Sequence, residues 1–247
     1  MTAPLFFVAP DQLSGAGQGS VVVLGGPEGH HGATVKRIGV GERVLLADGL
    51  GQRADAVVER VGVGELHLRV DSITQEPRPD PRFILIQALT KGDRDEQAIE
   101  AATELGVDEV VPWQAMRSIV IWRGERAGRS LRKWESVVMA ATKQSRRVRV
   151  PLVSAPVNKS AVVGRIEQAA LAVVLHEDAE LPLAGLELPP AGDVVLIVGP
   201  EGGIASDELS AFVGAGAVVV RLGPGVLRSS CAGPAALAVM SAAGRWR

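Results

Sequence analysis

The run Gly199-Pro200-Glu201-Gly202-Gly203 lies between an apolar stretch, residues 194–198, and a helical pattern over residues 207–213. It reads as strand, glycine turn, helix. Glycine lacks the Cβ that blocks close approach and tolerates positive φ, so such a turn offers backbone N–H and C=O groups to a ligand. The pattern returns in residues 217–222 and Gly223-Pro224-Gly225, after which Val226-Leu227-Arg228-Ser229-Ser230 leads into a small-residue helix over residues 231–243. Two strand ends that each open into glycine describe one site. Arg228 follows the second turn and is always charged, which suits it to an anion or a phosphate, or to an ion pair capping the last helix. Glu201 either contacts the ligand or favours the N-terminus of the following helix through its dipole.

These turns need a scaffold, and the apolar pattern supplies two. Residues 1–73 hold short strand-like runs at 5–8, 20–24, 43–47, 53–59 and 65–70, separated by Gly and Asp-Gly turns, which predicts a small β-barrel. One short helix over residues 28–38 would carry His30, His31, Lys36 and Arg37. Three alternating prolines, Pro77, Pro79 and Pro81, mark an extended connector over residues 74–82. Beyond it strands at 83–89 and 107–113 alternate with helices over 95–105 and 125–145. The runs 171–175, 194–198 and 217–222 are of the continuous β-branched kind found in parallel strands buried on both faces. Residues 83–247 are therefore expected to form an α/β domain with a largely parallel sheet, whose ligands bind beyond the carboxyl ends of its strands.

Composition narrows the partners. The chain has 247 residues, 47% hydrophobic, with 29 Gly and 15 Pro, which is ordinary for one or two globular domains. No uninterrupted apolar stretch of membrane-spanning length or signal peptide is evident, so a cytoplasmic protein without membrane partners is expected. One cysteine and four histidines without ligand spacing predict no metal. Cys231 reads as a small buried residue of an apolar helix. Net charge is −2, yet residues 117–149 contain ten Lys or Arg against two Glu. That segment is either a nucleic-acid footprint or a solvated helix face. Aromatics make up only 3%, so an aromatic base-stacking platform is not expected.

No GxxxxGK[ST] occurs, and the first strand of the α/β part ends in Ala88-Leu89-Thr90-Lys91-Gly92-Asp93 rather than GxGxxG. A P-loop and a dinucleotide site are therefore not supported. The pairing of GPEGG with LGPGVLRSS resembles the SPOUT methyltransferases, specifically the 16S ribosomal RNA (uracil-N3)-methyltransferase family, RsmE. The resemblance covers nearly the whole chain: HHGATVKRIGVGERVLLADGLG is similar to that family's PUA-like N-terminal barrel, ALTKGDRDEQAIEAATELGVDEVVPW to the start of its catalytic domain, and AATKQSRRVRVP to its Gln-x-x-Arg segment. Lys143 and the RSS after Leu227 resemble the actinobacterial branch.

The resemblance implies a deep trefoil knot at the C-terminus, with S-adenosylmethionine (AdoMet) held in its loops by Leu175, His176, Gly199, Glu201, Gly202, Gly203, Leu222, Gly223, Val226, Leu227 and Ser229. It implies methylation of N3 of a decoding-site uridine in 16S rRNA of the small subunit by a homodimer. Arg228 is then the catalytic candidate, since deprotonated uracil spreads negative charge onto its carbonyl oxygens. Where relatives carry Thr-Glu-Thr after that arginine, this chain has Ser229-Ser230-Cys231, so no general base is evident. Lys36, Arg37, Lys91, Arg94, Gln144 and Arg147 are the RNA-side candidates. Two rivals stand beside this reading: a 2′-O-ribose methyltransferase of the same superfamily, and a non-catalytic RNA-binding assembly factor.

Overall fold

The computed structural model describes residues 3–246, which divide into two compact units, residues 3–78 with 142–150, and residues 79–141 with 151–246. The first unit is built on a five-stranded sheet in the order β1-β3-β4-β5-β2, formed by β1 (Leu5–Phe7), β2 (Val21–Leu24), β3 (Arg43–Ala47), β4 (Gln52–Gly62) and β5 (Glu65–Gln75). β1 pairs parallel with β3 and the other pairings are antiparallel. β1 and β2 are its edges, so the hydrogen-bond pairings describe a sheet rather than a closed barrel. Alternation along β4 and β5 turns Ala54, Ala56, Val58, Leu66, Leu68 and Val70 inward onto Phe6, Leu24 and Leu46.

Short helices α1 (Pro10–Leu13) and α2 (Gly26–His30) cross this unit, and α2 continues as a π-helical turn over His31–Val35. The helix expected over residues 28–38 thus begins earlier and ends sooner, with Arg37 at a left-handed φ of 54°. Gly26-Pro27-Glu28-Gly29 forms the start of α2 and is closely packed. A Cβ at Gly29 would sit 2.3 Å from the Leu24 carbonyl oxygen, and Glu28 is ion-paired with Lys143. Residues 142–150, assigned from the sequence to the α/β part, belong to this unit: Val148 is buried with Leu5 and Ala47, and Val150 N donates to Gly49 O at 3.0 Å.

In the second unit β6 (Arg82–Ala88), β7 (Glu109–Trp113), β8 (Leu152–Val153), β9 (Leu171–Leu175), β10 (Asp193–Val198) and β11 (Val218–Val220) form one sheet in the order β11-β9-β10-β6-β7-β8. Every neighbouring pair is parallel. On one face α3 (Arg94–Glu104) and α7 (Ser229–Ala243) pack together, and α7 comes so near that a Cβ at Gly233 would lie 3.1 Å from Leu85. On the other, α5 (Lys159–Gln168) and α6 (Ser206–Gly214) bring Val162, Ile166 and Phe212 against Ile84, Ile86, Trp113, Val195 and Ile197. Burial on both faces explains the unbroken apolar runs. The spacing of Leu131, Trp134, Val138 and Ala141 predicts an apolar stripe along the long α4 (Gly124–Ser145), and of these Trp134, Val138 and Ala141 are buried while Leu131 is half-buried. α5 went unread in the sequence because only Val162 and Ile166 of its residues are fully buried.

At the amino ends of the strands lies a buried charge cluster. Glu109, 5% exposed, pairs with Arg82 at 3.1 Å and Arg165 at 2.7 Å and accepts from Ser154 Oγ at 2.6 Å. Removing the anion leaves Arg165 with no counter-charge among the described residues and Arg82 with Asp193 alone, at 3.3 Å. Glu109→Ala is expected to cost about 3 kcal/mol of stability, in line with broken buried ion pairs. Because it sits at the end of the sheet away from the glycine turns, ligand affinity at those turns should be unchanged; thermal unfolding and calorimetric titration check both parts.

Candidate functional site

Because β11, β9 and β10 are adjacent and parallel, their carboxyl ends emerge side by side. Leu175, Val198 and Val220 end those strands, and the loops that follow enclose a cavity of about 670 Å³. Every residue assigned to the cofactor from the sequence lines it: Leu175 and His176 from the first loop, Gly199, Glu201, Gly202 and Gly203 from the second, Leu222, Gly223, Val226, Leu227 and Ser229 from the third. Arg228 lines it too, at the N-cap of α7.

The glycine turns are shaped for different reasons. A Cβ at Gly199 would meet Ile204 at 2.7 Å, and Gly203 has a φ of 73°, so this turn is tight for its own packing. At Gly223 and Gly225 an added Cβ would meet nothing within 4 Å, so the third loop leaves its backbone open to approach. Val226 and Leu227 are 75% and 44% exposed on the cavity wall, an apolar surface for a ligand to cover. Ser229 is 9% exposed, and its hydroxyl has no hydrogen-bond partner. His176 is half-buried, with Nδ1 accepting from Asp178 N at 3.2 Å, so its other nitrogen carries the proton.

Glu201 lines the cavity and also bridges two of its loops. Its Oε1 accepts from Arg94 Nη1 at 3.0 Å and from Lys91 N at 3.3 Å, which ties the glycine turn to the loop after β6. Arg117 holds the same turn from the other side, donating from Nη1 to Gly202 O at 3.0 Å. Its own loop is fixed by buried Glu208, which accepts from Met116 N at 2.9 Å and Ala205 N at 3.3 Å. Arg117 carried no local sequence signal, since 85 residues separate it from Gly202. Arg221 also lines the cavity, so four arginines face Glu177, Asp178 and Glu201 there.

Of the RNA-side candidates, Arg94 lines the cavity and exposed Lys91 stands beside Glu201, whereas Lys36, Arg37, Gln144 and Arg147 belong to the other compact unit. Cys231 corrects the sequence reading: it is exposed, on the outward side of the first turn of α7, while Ser230 and Ala232 on either side of it are buried. Among the described residues no group of three or more metal-ligating side chains occurs, and no helix is long and apolar enough to cross a membrane.

The architecture has known counterparts. Residues 77–241 match the RNA methyltransferase domain family. The chain is 45% identical, over its full length and 94% of the relative, to ribosomal RNA small subunit methyltransferase E of Mycobacterium bovis. The structure of ribosomal RNA small subunit methyltransferase E from Neisseria gonorrhoeae bound to AdoMet superimposes with a TM-score of 0.84 at 27% identity, covering 98% of both chains. A Legionella pneumophila methyltransferase in complex with the same cofactor gives 0.85 at 29% identity, again over 98% of both. This chain therefore belongs to the ribosomal RNA small subunit methyltransferase E family.

Behind the site, Asp95 is buried in the first turn of α3, accepting from Glu96 N at 3.0 Å and from the backbone of Thr90. Burial outweighs these bonds and raises its carboxyl to about 6. A carboxyl raised above its ordinary value near 4 favours the folded state when protonated, so its contribution is complete below that value and fades as pH rises through about 6. Asp95→Asn removes the titration. The melting temperature of the variant relative to the parent should therefore be higher at pH 7.5 than at pH 4.5, roughly, as calorimetry at the two values would register.

Proposed function

We propose that the three-loop cavity binds AdoMet and that the chain transfers its methyl group to N3 of a decoding-site uridine in 16S rRNA. The observation that carries the reading is the convergence of three parallel strand ends on one cavity whose walls are open backbone, exposed apolar side chains and an unpartnered buried hydroxyl. The fit to this cofactor is chemical: Val226 and Leu227 suit an apolar face, the N–H groups of the glycine turns suit carbonyl and carboxylate oxygens, and Ser229 offers a hydroxyl donor. AdoMet supplies a sulfonium-activated methyl. In this reading the loops around it form the trefoil knot of the family, the first unit is its PUA-like RNA-binding domain, and two chains form the working dimer.

The chain's own residues then have a short task. N3 of uracil must give up its proton as the methyl arrives, and charge spreads onto the flanking carbonyl oxygens. Arg228, exposed at the cavity and free of any ion pair among the described residues, is the cation for that charge. With Ser229, Ser230 and Cys231 following it, no carboxylate stands beside the reacting position in that loop, and the proton leaves to solvent. Glu201 and Arg117 keep the second turn in the shape that receives the cofactor. Lys91 and Arg94, with Lys36, Arg37, Gln144 and Arg147 from the other unit, are assigned to the RNA.

Incubation with labelled AdoMet and 30S subunits lacking base modifications, followed by nuclease digestion and mass spectrometry, should find the label on uracil N3 at one decoding-site position. A ribose methyl would assign the chain to 2′-O chemistry, and no transfer would favour a binding factor. Arg228→Gln should lower kcat about 100-fold, as loss of an anion-stabilising donor does, while leaving the Kd for AdoMet near the parent value. Glu201→Gln should do the reverse, weakening cofactor binding about fivefold, close to 1 kcal/mol, in a calorimetric titration.

A further inference from the structure

Six cations of the α/β unit, Arg82, Arg94, Lys133, Lys159, Arg165 and Arg245, each hold a carboxylate. Four arginines at the start of α4 do not. Arg123, Arg126, Arg129 and Arg132 are exposed and enter no ion pair among the described residues, although Glu125 and Glu135 share their helix. Their spacing of three residues winds them round one side of the helix by about 60° per step and spreads them along about 13 Å of its axis. Lys133, between Arg126 and Arg129 in angle, is tied to Glu96 of α3 at 2.6 Å yet its side chain stays 62% exposed, so the paired cation and the unpaired ones share one solvent-facing side of the helix.

Two tethers set this row beside the cavity. Six residues before Arg123, Arg117 grips Gly202 in the second glycine turn. On the other side, Lys133 is bound to α3, whose first residue, Arg94, lines the cavity. A cleft of about 410 Å³ opens at the start of α4, walled by Met116, Ile121, Trp122 and Arg123 with Lys159 and Glu208, and the buried Ser118 hydroxyl is unpartnered in it. Like charges at this helical spacing repel one another, so the row weakens the free helix rather than supporting it. Its charge complements a polyanion.

We infer that the row Arg123, Arg126, Arg129 and Arg132 is a phosphate track by which the methyltransferase unit itself holds the substrate RNA strand as it enters the cavity. The inference rests on the RNA-methyltransferase reading and adds to it a surface that does not involve the first unit. Phosphate contacts of this kind position a strand without reading its bases, and each releases counterions on binding.

The test is a triple variant, Arg126→Gln, Arg129→Gln and Arg132→Gln, compared with the parent for binding to an unmodified 16S rRNA transcript and to unmodified 30S subunits over a range of salt. Each lost phosphate contact should lower the slope of log K against log salt by about one, so the triple variant should lose about two to three. KM for 30S subunits should rise about tenfold, with kcat at saturating subunits and the Kd for AdoMet unchanged, and the melting temperature unchanged or raised as repulsion is relieved. Parent-like affinity and salt slope would overturn the track. So would a loss confined to 30S subunits and absent with the transcript, which would assign the row to a ribosomal protein. If the parent binds RNA through this row yet methylates none, the enzymatic reading fails and the track stands.

Discussion

Parallel hydrogen bonding fixes where the chemistry can be. In the register Val194 with Leu171 and Val218 with Val173, strands β10, β9 and β11 run in the same direction, so all three carboxyl ends lie on one edge. A single antiparallel strand among them would send one loop to the far edge and leave the cavity without a wall. The sheet can hold this arrangement because its strands are apolar on both faces and are covered by α3 and α7 on one side and by α5 and α6 on the other.

Given that edge, the rest is fine adjustment by side chains far apart in sequence. The second glycine turn is drawn toward the loop after β6 by Glu201 and toward the loop after β7 by Arg117, while buried Glu208 anchors the latter. Each such surface or half-buried bond is worth about 1 kcal/mol or less alone, so their value lies in geometry rather than stability. The buried cluster around Glu109 is the opposite case. It closes the amino edge of the same sheet, contributes to stability, and is remote from the ligand.

How much of this was legible in the sequence follows from the range of the interactions. The strand-turn-helix units at Gly199–Gly203 and Gly223–Gly225 are local, and each residue assigned to the cofactor lines the cavity. The stripe of Trp134, Val138 and Ala141 is local as well. What escaped is non-local or weakly patterned. Arg117 joins the site through a contact across the fold, and residues 142–150 leave the unit in which most of α4 lies. α5 is carried by two buried residues and an Asn158 side chain that accepts from Ala161 N, too little apolar periodicity to announce a helix. Cys231 faces solvent because it falls on the outward side of α7, between buried Ser230 and Ala232.

The central claim is that three strand ends form one cofactor site, and amide hydrogen exchange with and without AdoMet tests it most directly. The account predicts protection together at residues 175–178, 199–203 and 222–229, with β7 and the first unit unchanged. Tight binding that protects only one of these loops, or protects residues elsewhere in the chain, would contradict it.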